Sequence, residues 1–368
     1  MIRIDEIYEH TFWPWAKRQL PFTRLFYCDP PGDSRPQALR NFGNDDVTEL
    51  HYIFFHDQEP IHLDIHHDLF QEVVHCNTSL DNDRGPQKSA IVTSEYQSEY
   101  VQQACDTFGW QSFYYFFHGW AALDWYRGYD RTFLIPEPEQ RTITRSFISA
   151  NRIIGGRRDH RIMLMYHLLK SRVQNAWISF PSTCPAEGRH ILDLCEKFGP
   201  DVKKVFQEAD LPRCFPGETD HPMHSCWLSL FDENASSLAH VITETVYTGR
   251  RHHLTEKTFK PICLKMPFVM VSTAGSLDYL RRYGFKTFDN IWNEDYDLES
   301  DDQIRLQKIA ALLKDLDDQS PAELQKIYRA VWPAVRHNHE HFYGGGFEQI
   351  LWQEITSMMH DVEHSFQT

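Results

Sequence analysis

Several features that announce a function outright are missing from this chain. No apolar run approaches the roughly 20 residues that a membrane span requires, and the opening MIRIDEIYEHTFWPW has neither the basic start nor the continuous apolar stretch of a secretion signal. The cysteines are scattered with no C-x-x-C pair, a pattern suited to a reducing cytosol in which they serve as small buried residues. A cytoplasmic protein is the expectation. No G-x-x-x-x-G-K-[ST] loop, G-x-S-x-G elbow, H-E-x-x-H helix or G-x-G-x-x-G fingerprint occurs. Kinase, serine hydrolase, zinc peptidase and ordinary dehydrogenase therefore lose their usual support. Basic residues are in deficit, 37 Lys and Arg against 52 Asp and Glu, for a formal net charge of -15. Such a chain is repelled overall by nucleic acid and by anionic membranes, though a local basic patch can still hold a small anion.

What is present is material for large cores. Of 368 residues, 41% are apolar, 24% charged and 14% aromatic, which excludes disorder and collagen-like architecture and is enough for two domains. There is no internal repeat and no low-complexity tract.

Along the first 138 residues, short β-branched and aromatic runs read as strands: LHYIFF (50–55), SAIVTS (89–94) and SFYYFF (112–117). Turn-rich breakers, CDPPGDSRP (28–36) and TSLDNDRGPQKS (78–89), separate them. LIPEPEQRT (134–142) is the expected interdomain linker. Strands and helices then alternate. Strands are expected at 145–151, 175–180, 239–245 and 267–272, helices at 160–172, 190–199, 255–265 and 276–284. That alternation predicts a parallel sheet covered on both faces. Period-3.6 patterns over 301–318 and 320–342, a Gly344-Gly345-Gly346 hinge and a last helix over 347–366 complete the chain. The expected organisation is an N-terminal domain (1–138), a C-terminal ligand-binding domain (139–346) and a final helix (347–368) packing back on the first. A ligand cleft between two such domains is the natural expectation.

The most informative segment is 239–297. A strand ends near Glu244, a loop carries Arg250, Arg251, His252 and His253, and a helix begins at Thr255, a sound N-cap with Glu256 in the first turn. Two readings stand. One is a capped helix with a solvated basic loop. The other is a diphosphate site in which helix-start amides, Lys257 and the loop arginines hold the anion while Glu256 accepts from ribose hydroxyls.

Leu254-Thr255-Glu256-Lys257-Thr258-Phe259, followed by Met266-Pro267-Phe268-Val269, resembles the nucleotide-sugar motif of the α1,3-fucosyltransferase-like glycosyltransferases. The continuation Gly275-Ser276-Leu277-Asp278-Tyr279-Leu280 and Gly284-Phe285-Lys286-Thr287-Phe288 looks like uncharacterised glycosyltransferase-like proteins, viral ones among them. The resemblance covers residues 145–300. It implies a GT-B fold, α/β, with two Rossmann-like domains facing a central cleft and the donor held mainly by the second. By the same resemblance Glu256 binds the donor ribose and Lys257 its diphosphate. Where the family often has a tyrosine three positions before that glutamate, this chain has His253, whose imidazole also stacks or hydrogen-bonds. The donor is thus a UDP- or GDP-linked sugar, with no cofactor required.

A second basic turn, ANRIIGGRRDHRIMLMYHLL (150–169), follows a strand with a Gly155-Gly156 loop. It reads either as a basic turn before an amphipathic helix or as a second grip on the anion. Folds of the resembled kind place an arginine from this loop on the diphosphate, here Arg152 or Arg161. Two basic loops of one sheet in an acidic chain point to one anionic ligand.

In the N-terminal domain, His56-Asp57-Gln58-Glu59-Pro60 follows a strand directly. An inverting glycosyl transfer needs a base for the acceptor hydroxyl, and Asp57 and Glu59 are the candidates, with His56 as neighbour or alternative. The same residues also fit a solvated turn closed by proline. Glu95 and His118 occupy similar strand-end positions and are expected to line the acceptor side. The acceptor is expected to be a glycan. A hydroxymethylated base in DNA is the alternative, and the aromatic run 112–129 suits either because rings stack on sugars and bases alike. A non-catalytic nucleotide- or partner-binding protein is the alternative of a different class. Metal chemistry is not expected. Asp81-Asn82-Asp83 and Asp295-Tyr296-Asp297 match only a short D-x-D pattern, and Cys214, His221, His224 and Cys226 match no common zinc spacing.

Overall fold

The computed structural model describes residues 3–29, 33–42, 51–78, 88–129, 137, 140–215, 218 and 227–367. The chain divides into two compact units. The first comprises Met1–Asp124, Gly249–His253 and Glu348–Thr368, and the second Trp125–Thr248 and Leu254–Phe347. The chain therefore passes from one to the other at 124/125, 248/249, 253/254 and 347/348, whereas the sequence reading placed boundaries at 138/139 and 346/347.

The first unit is built on a five-stranded sheet of order β2-β1-β3-β4-β5: β1 (Thr23–Cys28), β2 (Leu39–Phe42), β3 (His51–His56), β4 (Ser89–Thr93) and β5 (Gln111–Tyr114). All neighbours run parallel except the β1–β2 pair. Helices α1 (Trp13–Gln19), α2 (Leu63–Thr78), α3 (Glu99–Phe108) and α4 (Phe117–Trp125) accompany it. Phe26, Tyr52, Phe54, Phe70 and Trp110 form one buried cluster. Fully burying each such ring favours the fold by about 1.5–3 kcal/mol.

One expectation fails here. SFYYFF is not a strand throughout: β5 stops at Tyr114 and α4 begins at Phe117. Helix α4 is buried along almost its whole length, so its apolar residues show no helical stripe and read like strand. Tyr115, Phe116, Phe117, Trp120 and Tyr126 are core residues, not a stacking platform for sugars or bases.

The second unit has a four-stranded, wholly parallel sheet of order β7-β6-β8-β9: β6 (Arg145–Ala150), β7 (Trp177–Ser179), β8 (Ser237–Thr243) and β9 (Phe268–Val271). The connections contain α5 (Asp159–Lys170), α6 (Ile191–Leu194), α7 (Pro200–Glu208), α8 (Phe231–Ser236) and α9 (Glu256–Cys263). After the sheet come α10 (Ser276–Arg282), α11 (Asp302–Asp317) and α12 (Pro321–Tyr343). The expected alternation is thus present, with the 190–199 stretch broken into α6 and a 3-10 turn ahead of Gly199, whose φ is +93°. Gly345, with φ +88°, precedes the last helix, α13 (Gly346–Gln367). Its residues Glu363, Glu354 and Ser365 accept from Trp15 Nε1, the Phe116 amide and Lys88 Nζ, all within the first unit.

No helix among the described residues is long and apolar enough to cross a membrane. Asp81-Asn82-Asp83, His221, His224, Cys226 and most of 134–142 lie outside the described residues.

Candidate functional site

In an open parallel sheet, ligands bind where two neighbouring strands send their connections in opposite directions, because the departing loops leave a crevice at the strands' carboxyl ends. In the second unit that point is between β6, which leads to β7 on one side, and β8, which leads to β9 on the other. The two expected basic loops leave from these two strand ends. Thr243 Oγ1, at the end of β8, donates to Asn151 Oδ1, just past β6, at 2.7 Å, so the ends are tied together.

The loop after β8 is held by a residue the sequence reading did not single out. Glu244 is fully buried. Its carboxylate accepts from the Thr255 amide at 3.1 Å, Thr255 Oγ1 at 2.6 Å and Thr258 Oγ1 at 2.7 Å. Thr255 in turn caps α9 by accepting from the Lys257 amide at 3.4 Å. The only signal for Glu244 in sequence was its position at a strand end.

Lys257, in the first turn of α9, has its side chain 28% exposed. Its Nζ lies 3.0 Å from Glu256 Oε1 and 3.1 Å from Thr255 Oγ1. Thr255, Glu256 and Lys257 thus lie side by side at the start of α9. The helix-start amides are not exposed as expected: Thr255 and Glu256 are buried, and the Thr255 amide is committed to Glu244.

Arg152 is half-buried just beyond β6. Arg161 has other work. Its guanidinium is buried and donates to the carbonyls of Ile153 and Thr243, both at 2.8 Å, cross-linking the two loops. Burial, with Arg158 nearby, pulls it down to about 9. His160 stacks on Tyr247 at 4.9 Å and contacts the Glu244 carbonyl through Nε2 at 3.0 Å.

Residues Gly249–His253, within the β8–α9 loop, belong to the first unit. Arg251 is not a phosphate ligand in waiting: it is buried, pairs with Glu95 Oε1 at 3.3 Å, donates to the Ile61 carbonyl and stacks on Tyr100. Arg250 is exposed and pairs with Glu99. His253 is buried, its ring edge-on to His118 at 5.1 Å. His118 contacts the Gln58 carbonyl through Nε2 at 2.9 Å. Glu95, expected as acceptor lining, is the buried partner of Arg251 and also accepts from the Ile61 amide.

The first unit's sheet has its own switch point, between β1, which leads to β2, and β3, which leads to β4. A crevice there too tight to hold a water molecule is lined by Cys28, Phe55, His56, Asp57, Gln58 and Glu59. Strand alternation sends His56 and Asp57 to opposite faces. His56 points into the core against His66 and Phe70, and neither of its ring nitrogens has a hydrogen-bond partner among the described residues. Burial pushes it well below its usual range. The His56 ring thus faces the core and not the Asp57 side of the strand. Asp57 is 2% exposed and accepts from Tyr8 OH at 2.8 Å and Tyr115 OH at 2.5 Å. Burial raises it to about 6, against the lowering effect of the two phenols. A carboxyl held there exchanges protons close to neutral pH. Glu59 is exposed. Tyr8 and Tyr115 carried no local signal, since each lies far from Asp57 in sequence.

Among the described residues no group of three or more His, Cys, Asp or Glu is arranged to hold a metal ion. Asp297 of the second D-x-D pattern caps α10, accepting from the Leu277 amide at 3.1 Å.

No family model and no curated protein matches this chain. A search of solved structures returns the DNA-modifying enzyme β-glucosyltransferase, determined in the presence and absence of its substrate uridine diphosphoglucose. Identity is 11%, the TM-score 0.35, and the alignment covers 78% of this chain and 74% of that one. At that TM-score the likeness assigns neither a shared fold nor an activity. The class α/β, with two parallel-sheet units, rests on the strand pairing itself.

Proposed function

We propose that this protein is a nucleotide-sugar-dependent glycosyltransferase of GT-B type, with one Rossmann-like unit for each substrate. The observation that carries the reading is the placement of Arg152 and of Thr255-Glu256-Lys257 on the two loops flanking one topological switch point. Lys257 and Arg152 neutralise the donor diphosphate and Glu256 takes the ribose hydroxyls. His253, expected from the sequence as a donor contact, is buried against His118 in the first unit and is given no part in this donor site. Arg161 acts through the loops it cross-links.

In the inverting reaction, the acceptor oxygen bonds to the sugar C1 as the C1–phosphate bond breaks. The electron pair leaves with the nucleoside diphosphate, whose charge Lys257 and Arg152 offset without a required metal. The acceptor proton passes to Asp57, or to Glu59 if the acceptor lies further out. The donor is UDP- or GDP-linked and the acceptor a glycan hydroxyl.

The test is a thermal-shift screen against UDP, GDP, CDP, ADP and dTDP, each with and without EDTA. A diphosphate present at about 100 times Kd stabilises the folded state by about 2.7 kcal/mol. One nucleotide raising Tm in EDTA supports the reading; silence from all five overturns it. With the donor half known, transfer from the matching nucleotide sugar to glycans and to hydroxymethylated duplex DNA identifies the acceptor.

A further inference from the structure

The imidazoles of His56, His62 and His66 gather where β3 gives way to α2, and the transfer chemistry uses none of them. His56, the last residue of β3, is 2% exposed, its ring 4.4 Å from that of His66 and 5.3 Å from Phe70. Neither of its nitrogens has a hydrogen-bond partner among the described residues. Two unpaired polar atoms make it a costly way to fill a core. A charge on that ring would be costlier still.

His66 shows which protonation state the fold requires. Its Nδ1 accepts from the His62 amide at 3.1 Å, while its own amide donates to the His62 carbonyl at 2.9 Å. The pair is a reciprocal cap on the first turn of α2, with an imidazole where a glutamate or glutamine side chain often reaches back. A protonated Nδ1 cannot accept, so the bond requires a neutral His66 with its proton on Nε2. Charging the ring removes that acceptor and sets a cation at the positive end of the helix dipole.

The other titratable groups around the cluster do not replace it. Cys28 of β1 shares the core with Phe54 and Phe70, and burial pushes its thiol up to about 12. Glu95 is committed to Arg251 and the Ile61 amide. Tyr100 of α3 lies edge-on to His62 at 5.9 Å. Asp57 leaves the strand on the opposite face, and Asp64 and Asp68 of α2 are exposed. Burial, with His66 beside it, holds His56 well below its usual range.

We propose that His56 and His66 form an acid-operated latch. Neutral, they pin the start of α2 to the end of β3; protonated, they release residues 57–66, which include Asp57, Gln58 and Glu59. The proton comes from solvent and returns to it as pH rises. The latch is independent of which reaction the protein performs.

The test is hydrogen exchange at the Ile65 amide, which donates to the His62 carbonyl at 3.0 Å. It is read in the full chain and in His56→Phe/His66→Asn at pH 6.5 and 5.0. Phenylalanine keeps a ring, asparagine keeps an acceptor for the His62 amide, and neither titrates. One proton taken up at the ordinary value of 6.5 in the open form multiplies the opening constant about thirtyfold over this interval. After correction for intrinsic exchange, the parent shows that rise and the double variant less than a threefold one. Low urea leaves the parent's Ile65 rate unchanged, the mark of local opening. A rise shared by both proteins, no rise in the parent, or a rise as steep in urea as that of the Phe26 amide within the sheet overturns the latch. If the double variant does not fold, histidine-ring NMR of the parent at pH 7.5 decides. The Nε2–H tautomer of His66 supports the latch, and the Nδ1–H or charged ring overturns it.

Discussion

Glu244 and Thr258, fourteen residues apart, are joined by a 2.7 Å hydrogen bond within a buried carboxylate site that also holds both the amide and the hydroxyl of Thr255. The end of β8 and the first turn of α9 are thereby one rigid piece, and Lys257 is presented from it. Replacing Glu244 with alanine leaves three buried donors without their acceptor. We expect a loss of about 3 kcal/mol of stability in urea unfolding, with Glu244→Gln losing less because it retains one acceptor oxygen. Equal stability for all three proteins would show that the anchor is not structural.

Lys257 is different in kind. Its pair with Glu256 is partly exposed and contributes little to folding. Lys257→Ala is expected to lower kcat/KM at least about 100-fold while changing unfolding free energy by less than about 1 kcal/mol. A variant that retains turnover would remove Lys257 from the donor diphosphate.

Asp57 gives a pH signature. Raised to about 6 by burial, it is the ionised base above that value and protonated below it, so kcat/KM is expected to fall as pH drops through about 6. Tyr115 donates to the charged form and so lowers its pKa. Removing that phenol in Tyr115→Phe therefore moves the acid limb to higher pH. If Asp57→Asn keeps both rate and limb, the base is Glu59. In stability the sign is opposite to the usual carboxylate: between the unfolded value of 3.8 and about 6 the folded state takes up the proton more readily, so this group favours folding as pH falls through that window.

The buried pair of Arg251 and Glu95 predicts a non-additive cycle. Glu95→Ala strands a buried guanidinium and is expected to cost about 3 kcal/mol or more. Adding Arg251→Met restores part of that loss, because the uncompensated charge is gone. Additive losses in urea unfolding would mean that the pair is not coupled.

Much of the organisation was legible before any coordinates. β-branched runs at short spacing and glycine-ended helical patterns are local signals, so the β/α alternation of 145–284 could be read from neighbours in the chain. The motif residues on the two basic loops were legible for the same reason, since Thr255, Glu256 and Lys257 are consecutive. The aromatic run at 112–117 misled because a helix buried along its length has no periodicity to read.

What the amino-acid order determined by itself was the β/α alternation of residues 145–284, the net acidic charge and the identity of the loops that carry basic residues. Strand order and side-chain direction were decided only in three dimensions. They set the two switch points, turned His56 into the core and Asp57 toward Tyr8 and Tyr115, and committed Arg161 and Arg251 to internal carbonyls and a buried carboxylate. Most of these partners lie tens of residues or more away in sequence. A buried charge or hydrogen-bonding group takes whatever partner the packing brings to it, and no local pattern records which partner that will be.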